Sequence, residues 1–108
     1  MKRTVYNKLI RDNIPEIITA SGKECDVKIL SDEEYIIKLK EKMIEEAHEV
    51  LSADEKEIIA ELADVLEIVE AIEKYYKIDH GTVEEKKRAK AVSNGKFEKK
   101  LLLIETRE

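Results

Sequence analysis

Residues 31–76 decide the fold, and they read SDEEYIIKLKEKMIEEAHEVLSADEKEIIAELADVLEIVEAIEKYY. Ser31 can cap a helix, and Glu34 follows it by three residues, which is the spacing of a capping box. Apolar residues then recur every three or four positions, as on one face of an α-helix. The pattern predicts two long helices, one up to about Ser52 and one from about Asp54 to Tyr76. The connection between the two helices is so short that the chain must reverse its direction there, so we predict an antiparallel hairpin.

Shorter elements flank the hairpin. A one- or two-turn helix is predicted to begin at Pro15 and to stop at Ser21-Gly22, and a third longer helix is predicted from about Gly81 to Val92. Alternating residues at 26–30 and an apolar run at 101–104 read as two short strands that pair. The prediction is therefore a mainly α fold, a helical hairpin plus an extra helix with a small two-stranded β tie, in a single domain over residues 1–108.

Composition excludes several classes of protein. The 108 residues include a single cysteine, Cys25, and no apolar run is long enough for a membrane span or a secretory signal. We therefore expect a cytoplasmic protein without a membrane partner. Four tyrosines and one phenylalanine in an acidic context are too few for a nucleic-acid groove. No glycine-rich phosphate loop and no nucleophilic triad are present.

Charge is distributed unevenly along the chain. The net charge is −5, but residues 31–85 alone carry 18 acidic residues against 6 lysines. The segments before and after that stretch are net basic. Such a pattern suits a protein that holds divalent cations beside phosphate groups, although solubility alone can also produce it.

Four carboxylates lie at the apolar faces of the two long helices. On a helical wheel Glu46 and Glu49 share one flank of the first apolar face, Glu61 falls inside the second, and Asp64 lies at its border. A buried carboxylate needs a cation, and oxygen ligands suit Mg²⁺, with Mn²⁺ as a substitute. The alternative is that Glu61 is partly exposed and pairs with a lysine. Two such acid pairs on adjacent helices favour the metal site.

The hairpin has more apolar surface than it can cover. Further apolar side chains broaden both helices beyond the face that the other helix can bury: Ile37, Ile44, Leu51, Ile59 and Leu66. We therefore predict a homodimer or homotetramer in which hairpins of two chains form a four-helix bundle.

Three motifs resemble those of a known superfamily. Residues 45–49 (EEAHE), followed by residues 61–64 (ELAD), resemble the E-E-x-x-E and E-x-x-D signature of the all-α NTP pyrophosphohydrolases, which include MazG. Residues 6–15 (YNKLIRDNIP) and 94–99 (NGKFEK) resemble a MazG-like subgroup often labelled phosphoribosyl-ATP pyrophosphohydrolase-like. The chain departs from true phosphoribosyl-ATP pyrophosphohydrolases at residues 65–68 (VLEI). Because of this departure, we rank the substrate of histidine biosynthesis below a general nucleotide or a damaged one. A damaged nucleotide would be the substrate of a house-cleaning enzyme.

The resemblance implies that Glu46, Glu49, Glu61 and Asp64 hold Mg²⁺. It also implies cleavage of a nucleoside triphosphate to a monophosphate and pyrophosphate. A metal-activated water would attack, with Glu45 or Glu49 as the general base. Five basic residues are candidates for binding the substrate phosphates: Lys8, Arg11, Lys87, Arg88 and Lys96. The competing hypothesis is a non-catalytic helical interaction module, whose acidic face binds a basic partner.

Overall fold

The computed structural model describes residues 2–108 and is mainly helical. Its four helices are α1 (Ile14–Ala20), α2 (Asp32–Ser52), α3 (Ile58–Tyr76) and α4 (His80–Asn94). The mainly α prediction is thus confirmed, with each helix within a few residues of its predicted bounds. The largest difference is at the start of α3. The turn at Asp54–Glu57 precedes this helix, because the Asp54 carboxylate accepts hydrogen bonds from the backbone of Lys56 and Glu57.

Local signals account for the ends of the helices. The predicted capping box at α2 is confirmed, since the Ser31 hydroxyl accepts from the backbone of Glu34 and the Glu34 carboxylate accepts from the backbone of Ser31. Gly22 follows α1 with φ +87°, and Gly95 follows α4 with φ +82°. Side chains with a Cβ rarely adopt this left-handed region, so a glycine is suited to the position after a helix.

The described chain divides into two units, one ending at Tyr76 and the other spanning Lys77–Glu108. In the first unit α2 packs against α3. The Tyr35 ring near the start of α2 lies 6.2 Å from the Tyr75 ring near the end of α3, as in an antiparallel hairpin. Leu39 and Ile68 are the buried apolar residues of this interface. The second unit contains α4 and the residues that follow it. The prediction of a single domain stays a prediction.

The predicted β tie is not confirmed. No strand occurs within residues 2–108, and both segments that we expected to pair, 26–30 and 101–104, lack regular secondary structure. A strand needs a hydrogen-bonding partner and an apolar face packed on a core. Val27 and Ile29 are instead exposed, as are all four residues of the second segment, so nothing anchors either one.

Many large apolar side chains of the hairpin face away from its own interface. Ile44 is 61% exposed, and Leu66 is 62% exposed. Ile37, Leu51, Ile59 and Leu62 are also exposed. The exposed large apolar residues of α2 are Ile37, Ile44 and Leu51. They recur at intervals of seven, so they form a stripe along one side of the helix.

Within the described part of the chain, no helix combines the length and the apolar character needed to cross a bilayer.

Candidate metal centre

Three acidic residues converge where the end of α2 meets the beginning of α3. Glu46 comes from α2, and Glu61 and Asp64 come from the first two turns of α3. The three offer carboxylate oxygens that all lie within 4.8 Å of one another. Oxygens on opposite sides of one Mg²⁺ are roughly 4 Å apart, so small side-chain movements would bring this set onto a single ion. We call these three residues the acidic cluster.

Glu46 is the most unusual member of the acidic cluster. It is 7% exposed, and its Oε2 atom is buried without a hydrogen-bond partner in residues 2–108. Burial raises its pKa, and the neighbouring carboxylates of Asp64 and Glu61 raise it further. The cation nearest to it in the described chain, the Lys42 ammonium, lies 4.0 Å from Oε1, which is too far for a hydrogen bond. A buried carboxylate with an unsatisfied oxygen beside two other carboxylates fits a divalent cation.

The other two members of the acidic cluster keep access to solvent. Glu61 and Asp64 are half-buried. Glu61 also lies in the first turn of α3, where the partial positive charge of the helix N-terminus favours a carboxylate. A cation held here would therefore retain open positions for water or phosphate, as Mg²⁺ sites usually do.

The segment before α1 supplies two cations to this region. The Arg11 guanidinium lies 2.7 Å from Asp64 Oδ1, and the Lys8 ammonium lies 3.0 Å from Glu45 Oε1. Lys8 also lies over the ring of Tyr6, with Nζ 5.8 Å from the ring centroid. These contacts place both basic residues of the N-terminal motif beside acidic residues of α2 and α3, although neither forms an ion pair with Glu46.

Glu45 and Glu49 differ in how far their carboxylates are engaged. Glu45 is half-buried and pairs with Lys8 and, at 3.4 Å, with Lys42. The hydrogen bond from Lys8 lowers the pKa of Glu45, and Lys42 lowers it as well. Glu49 is exposed, and its carboxylate makes no ion pair within residues 2–108, although its charge helps to raise the pKa of Lys8. Glu49 lies outside the acidic cluster, so three of the four predicted metal ligands come together here.

The remaining predicted basic residues belong to the second unit. Lys87, Arg88 and Lys96 are exposed, and the Lys87 ammonium lies 3.9 Å from Glu84. Their predicted contact with phosphate stays a prediction.

Two residues of the hairpin were missed by the sequence analysis. Lys42 approaches both Glu45 and Glu46, and its spacing of three and four residues from them was the available signal. Glu73 is buried on α3, four residues after Val69 and three before Tyr76. This spacing puts Glu73 at the border of the apolar face of α3, so helical periodicity indicates it in the same way as it indicates Asp64.

Comparison with known proteins adds little about chemistry. No protein-family model matches the chain, and no solved structure matches it. An uncharacterised protein of Mycolicibacterium smegmatis is 43% identical to it over 54 residues, which are 50% of this chain. The match covers 55% of the length of that relative, so the chain spans about half of it. A functional proposal therefore rests on the residues and their geometry.

Proposed function

We propose that this protein is a Mg²⁺-dependent nucleoside triphosphate pyrophosphohydrolase of the MazG-like, all-α type, acting in the cytoplasm. In this proposal a nucleoside triphosphate or a related nucleotide is cleaved to the monophosphate and pyrophosphate. The proposed substrate class includes canonical nucleotides as well as the damaged or non-standard nucleotides of a house-cleaning enzyme.

One observation carries the proposal, namely the acidic cluster with its buried, partly unsatisfied Glu46. Three carboxylates with oxygens within 4.8 Å of one another repel unless protons or cations lie among them. Burial raises the pKa of Glu46, and the repulsion from the neighbouring carboxylates raises it further. A divalent cation would relieve the repulsion and supply the missing partner of Oε2.

Each residue of the site has a proposed task. Glu46, Glu61 and Asp64 would hold Mg²⁺, and Glu49, one helical turn after Glu46, would complete the set or bind through water. When bound, the metal supplies charge neutralisation of the phosphates and a lowered pKa for the attacking water. Arg11 and Lys8 would bind the polyphosphate, because Arg11 pairs with Asp64 of the acidic cluster and Lys8 pairs with Glu45, the residue before Glu46.

Glu49 is the better candidate for the general base. A carboxylate held by two ammonium groups has a lowered pKa and accepts a proton poorly, which is the situation of Glu45. The Glu49 carboxylate is exposed and forms no ion pair within residues 2–108, so it is free to approach a water. Changing Glu45 to Gln should therefore reduce activity less than changing Glu49 or Glu61.

The exposed basic residues of the second unit extend the proposal. Lys87, Arg88 and Lys96 would contribute to phosphate binding in the assembled protein.

The proposed assembly is a homodimer or homotetramer in which the exposed apolar stripes of two hairpins form a four-helix bundle. The exposure of Ile44 and Leu66 supports this, because a bundle would remove both side chains from water.

The proposal is tested with a panel of canonical, oxidised and deaminated nucleoside triphosphates, followed by pyrophosphate release. We expect turnover of at least one nucleotide with Mg²⁺ and none with a chelator. Glu61→Gln should be inactive, whereas Glu67→Gln, an exposed charge change on the same helix, should keep its activity. No pyrophosphate from any nucleotide in the panel would contradict the proposal.

A further inference from the structure

The Arg11–Asp64 ion pair involves a carboxylate of the acidic cluster. Arg11 Nη2 donates to Asp64 Oδ1 over 2.7 Å, a short charge-assisted hydrogen bond. The same carboxylate offers an oxygen within 4.8 Å of those of Glu46 and Glu61. The guanidinium is therefore already beside the position that a divalent cation would take.

Two cations cannot share that position without strong repulsion. A divalent ion on Asp64 would lie within a few ångströms of the guanidinium, where the repulsion between them is large. We propose that Arg11 holds Asp64 when the metal is absent, and that metal binding displaces Arg11 from Asp64 toward the anionic substrate. This inference rests on the proposed function, since it assigns to Arg11 a competition with the metal that the acidic cluster would hold.

The surroundings of Arg11 permit this movement. Its side chain is 56% exposed, and an exposed ion pair stabilises a protein only weakly. The segment from residue 2 to residue 11 has no regular secondary structure, whereas the carbonyl of Arg11 accepts a hydrogen bond from Ile14 at the start of α1. The backbone is therefore held while the side chain can change its partner.

Lys8 differs from Arg11 in its partner. Lys8 pairs with Glu45, which does not belong to the acidic cluster, so metal binding would leave this contact in place. Leu9, next to Lys8, is half-buried. Residues 8 and 9 would thus keep the segment on α2 when the Arg11 side chain leaves Asp64.

The first experiment measures Mn²⁺ binding by calorimetry in the absence of nucleotide. Removing the competing charge with Arg11→Gln should tighten Mn²⁺ binding by about fivefold. The matched control is Arg3→Gln, which removes one exposed positive charge from the same segment and should leave the affinity within about twofold. Arg11→Lys keeps the charge, so its affinity should stay closer to that of the wild type. Glu61→Gln should lose binding.

The second experiment uses a non-hydrolysable α,β-methylene triphosphate in the presence of Mn²⁺. Here Arg11→Gln should weaken binding, because the freed guanidinium is then missing from the phosphate. Opposite effects on the metal alone and on the nucleotide are the signature of a residue that exchanges partners. A residue that merely supports the fold would weaken both.

The third measurement is an NMR titration of the wild-type protein with Mg²⁺, and a variant is needed only to assign the resonance. In wild-type protein labelled with ¹⁵N, the Arg11 Nε–H resonance, assigned from its loss in Arg11→Lys, should shift as Mg²⁺ is added. Unchanged Mn²⁺ affinity in Arg11→Gln, with binding intact in the wild type and lost in Glu61→Gln, would overturn this inference alone. Absence of Mn²⁺ binding in the wild type would overturn the proposed metal site as well.

Discussion

Arg11 and Asp64 are separated by 53 positions in the chain, yet their side chains meet at 2.7 Å. This contact brings the segment before α1 onto α3, next to the two other carboxylates of the acidic cluster. Side chains of the basic N-terminal motif and of the acidic helical motif thus meet, and both contribute charges to the candidate site.

Mg²⁺ should stabilise the fold of the wild-type protein. A ligand that binds only the folded state adds about 2.7 kcal/mol to the free energy of unfolding at one hundred times its Kd. Differential scanning fluorimetry with and without Mg²⁺ measures the gain as a rise in Tm. Glu61→Gln should lose most of it, and Glu67→Gln should keep it. A wild-type Tm that does not respond to Mg²⁺ would favour the helical interaction module.

Glu46→Gln should stabilise the metal-free protein at neutral pH. The substitution removes a buried charge with an unsatisfied oxygen and two like-charged neighbours, so a gain of about 0.5–2 kcal/mol is expected. Urea unfolding in the presence of a chelator measures it. The same variant should gain nothing from Mg²⁺. A metal-free variant that is less stable than the wild type would show that the Glu46 carboxylate is satisfied as it stands.

The pH dependence of stability should carry the signature of Glu46. Its pKa is raised above the usual 4.5, so its contribution is fully present below that value and is lost as pH rises through the raised pKa. The lowered pKa of Glu45 acts in the opposite sense, since its contribution is lost as pH falls. The stability difference between Glu46→Gln and wild type isolates Glu46, and it should grow from acidic to neutral pH without metal. A difference that stays constant over this range would contradict a raised pKa.

Breaking the exposed apolar stripe should dissociate the predicted assembly. Ile44→Glu and Leu66→Glu each place a charge where we expect a neighbouring hairpin to pack. Light scattering after size exclusion should give a multiple of 12.5 kDa for the wild type and about 12.5 kDa for the variants. Ile29→Glu, at a residue that is 95% exposed outside the helices, is the control and should keep the wild-type mass. A wild-type monomer at micromolar concentration would contradict the predicted bundle.

The sequence was sufficient for most of the helical framework because its signals are local. The capping box of Ser31 and Glu34 and the glycines after α1 and α4 act within a few residues. The wheel also puts Glu46 at the flank of the apolar face, since that position depends only on helical periodicity. The predicted start of α3 at Asp54 precedes the observed start at Ile58, because Asp54 and Glu57 form a capped turn of their own that resembles a helix N-terminus.

Contacts between distant segments could not be predicted in the same way. The segment before α1 has no periodicity, so nothing local indicates that Arg11 meets Asp64 or that Lys8 meets Glu45. The predicted β tie is not confirmed for a related reason. Alternation at residues 26–30 indicates a preference for an extended conformation, but the partner that makes a strand stable is not encoded nearby.

The reaction products test the central claim most directly. Wild-type protein is incubated with Mg²⁺ and a nucleoside triphosphate that it turns over, and the earliest products are separated by anion-exchange chromatography. We predict the nucleoside monophosphate and pyrophosphate in equal amounts, and neither product when Glu61→Gln replaces the wild type. Nucleoside diphosphate and inorganic phosphate as the first products would contradict cleavage between the α and β phosphates.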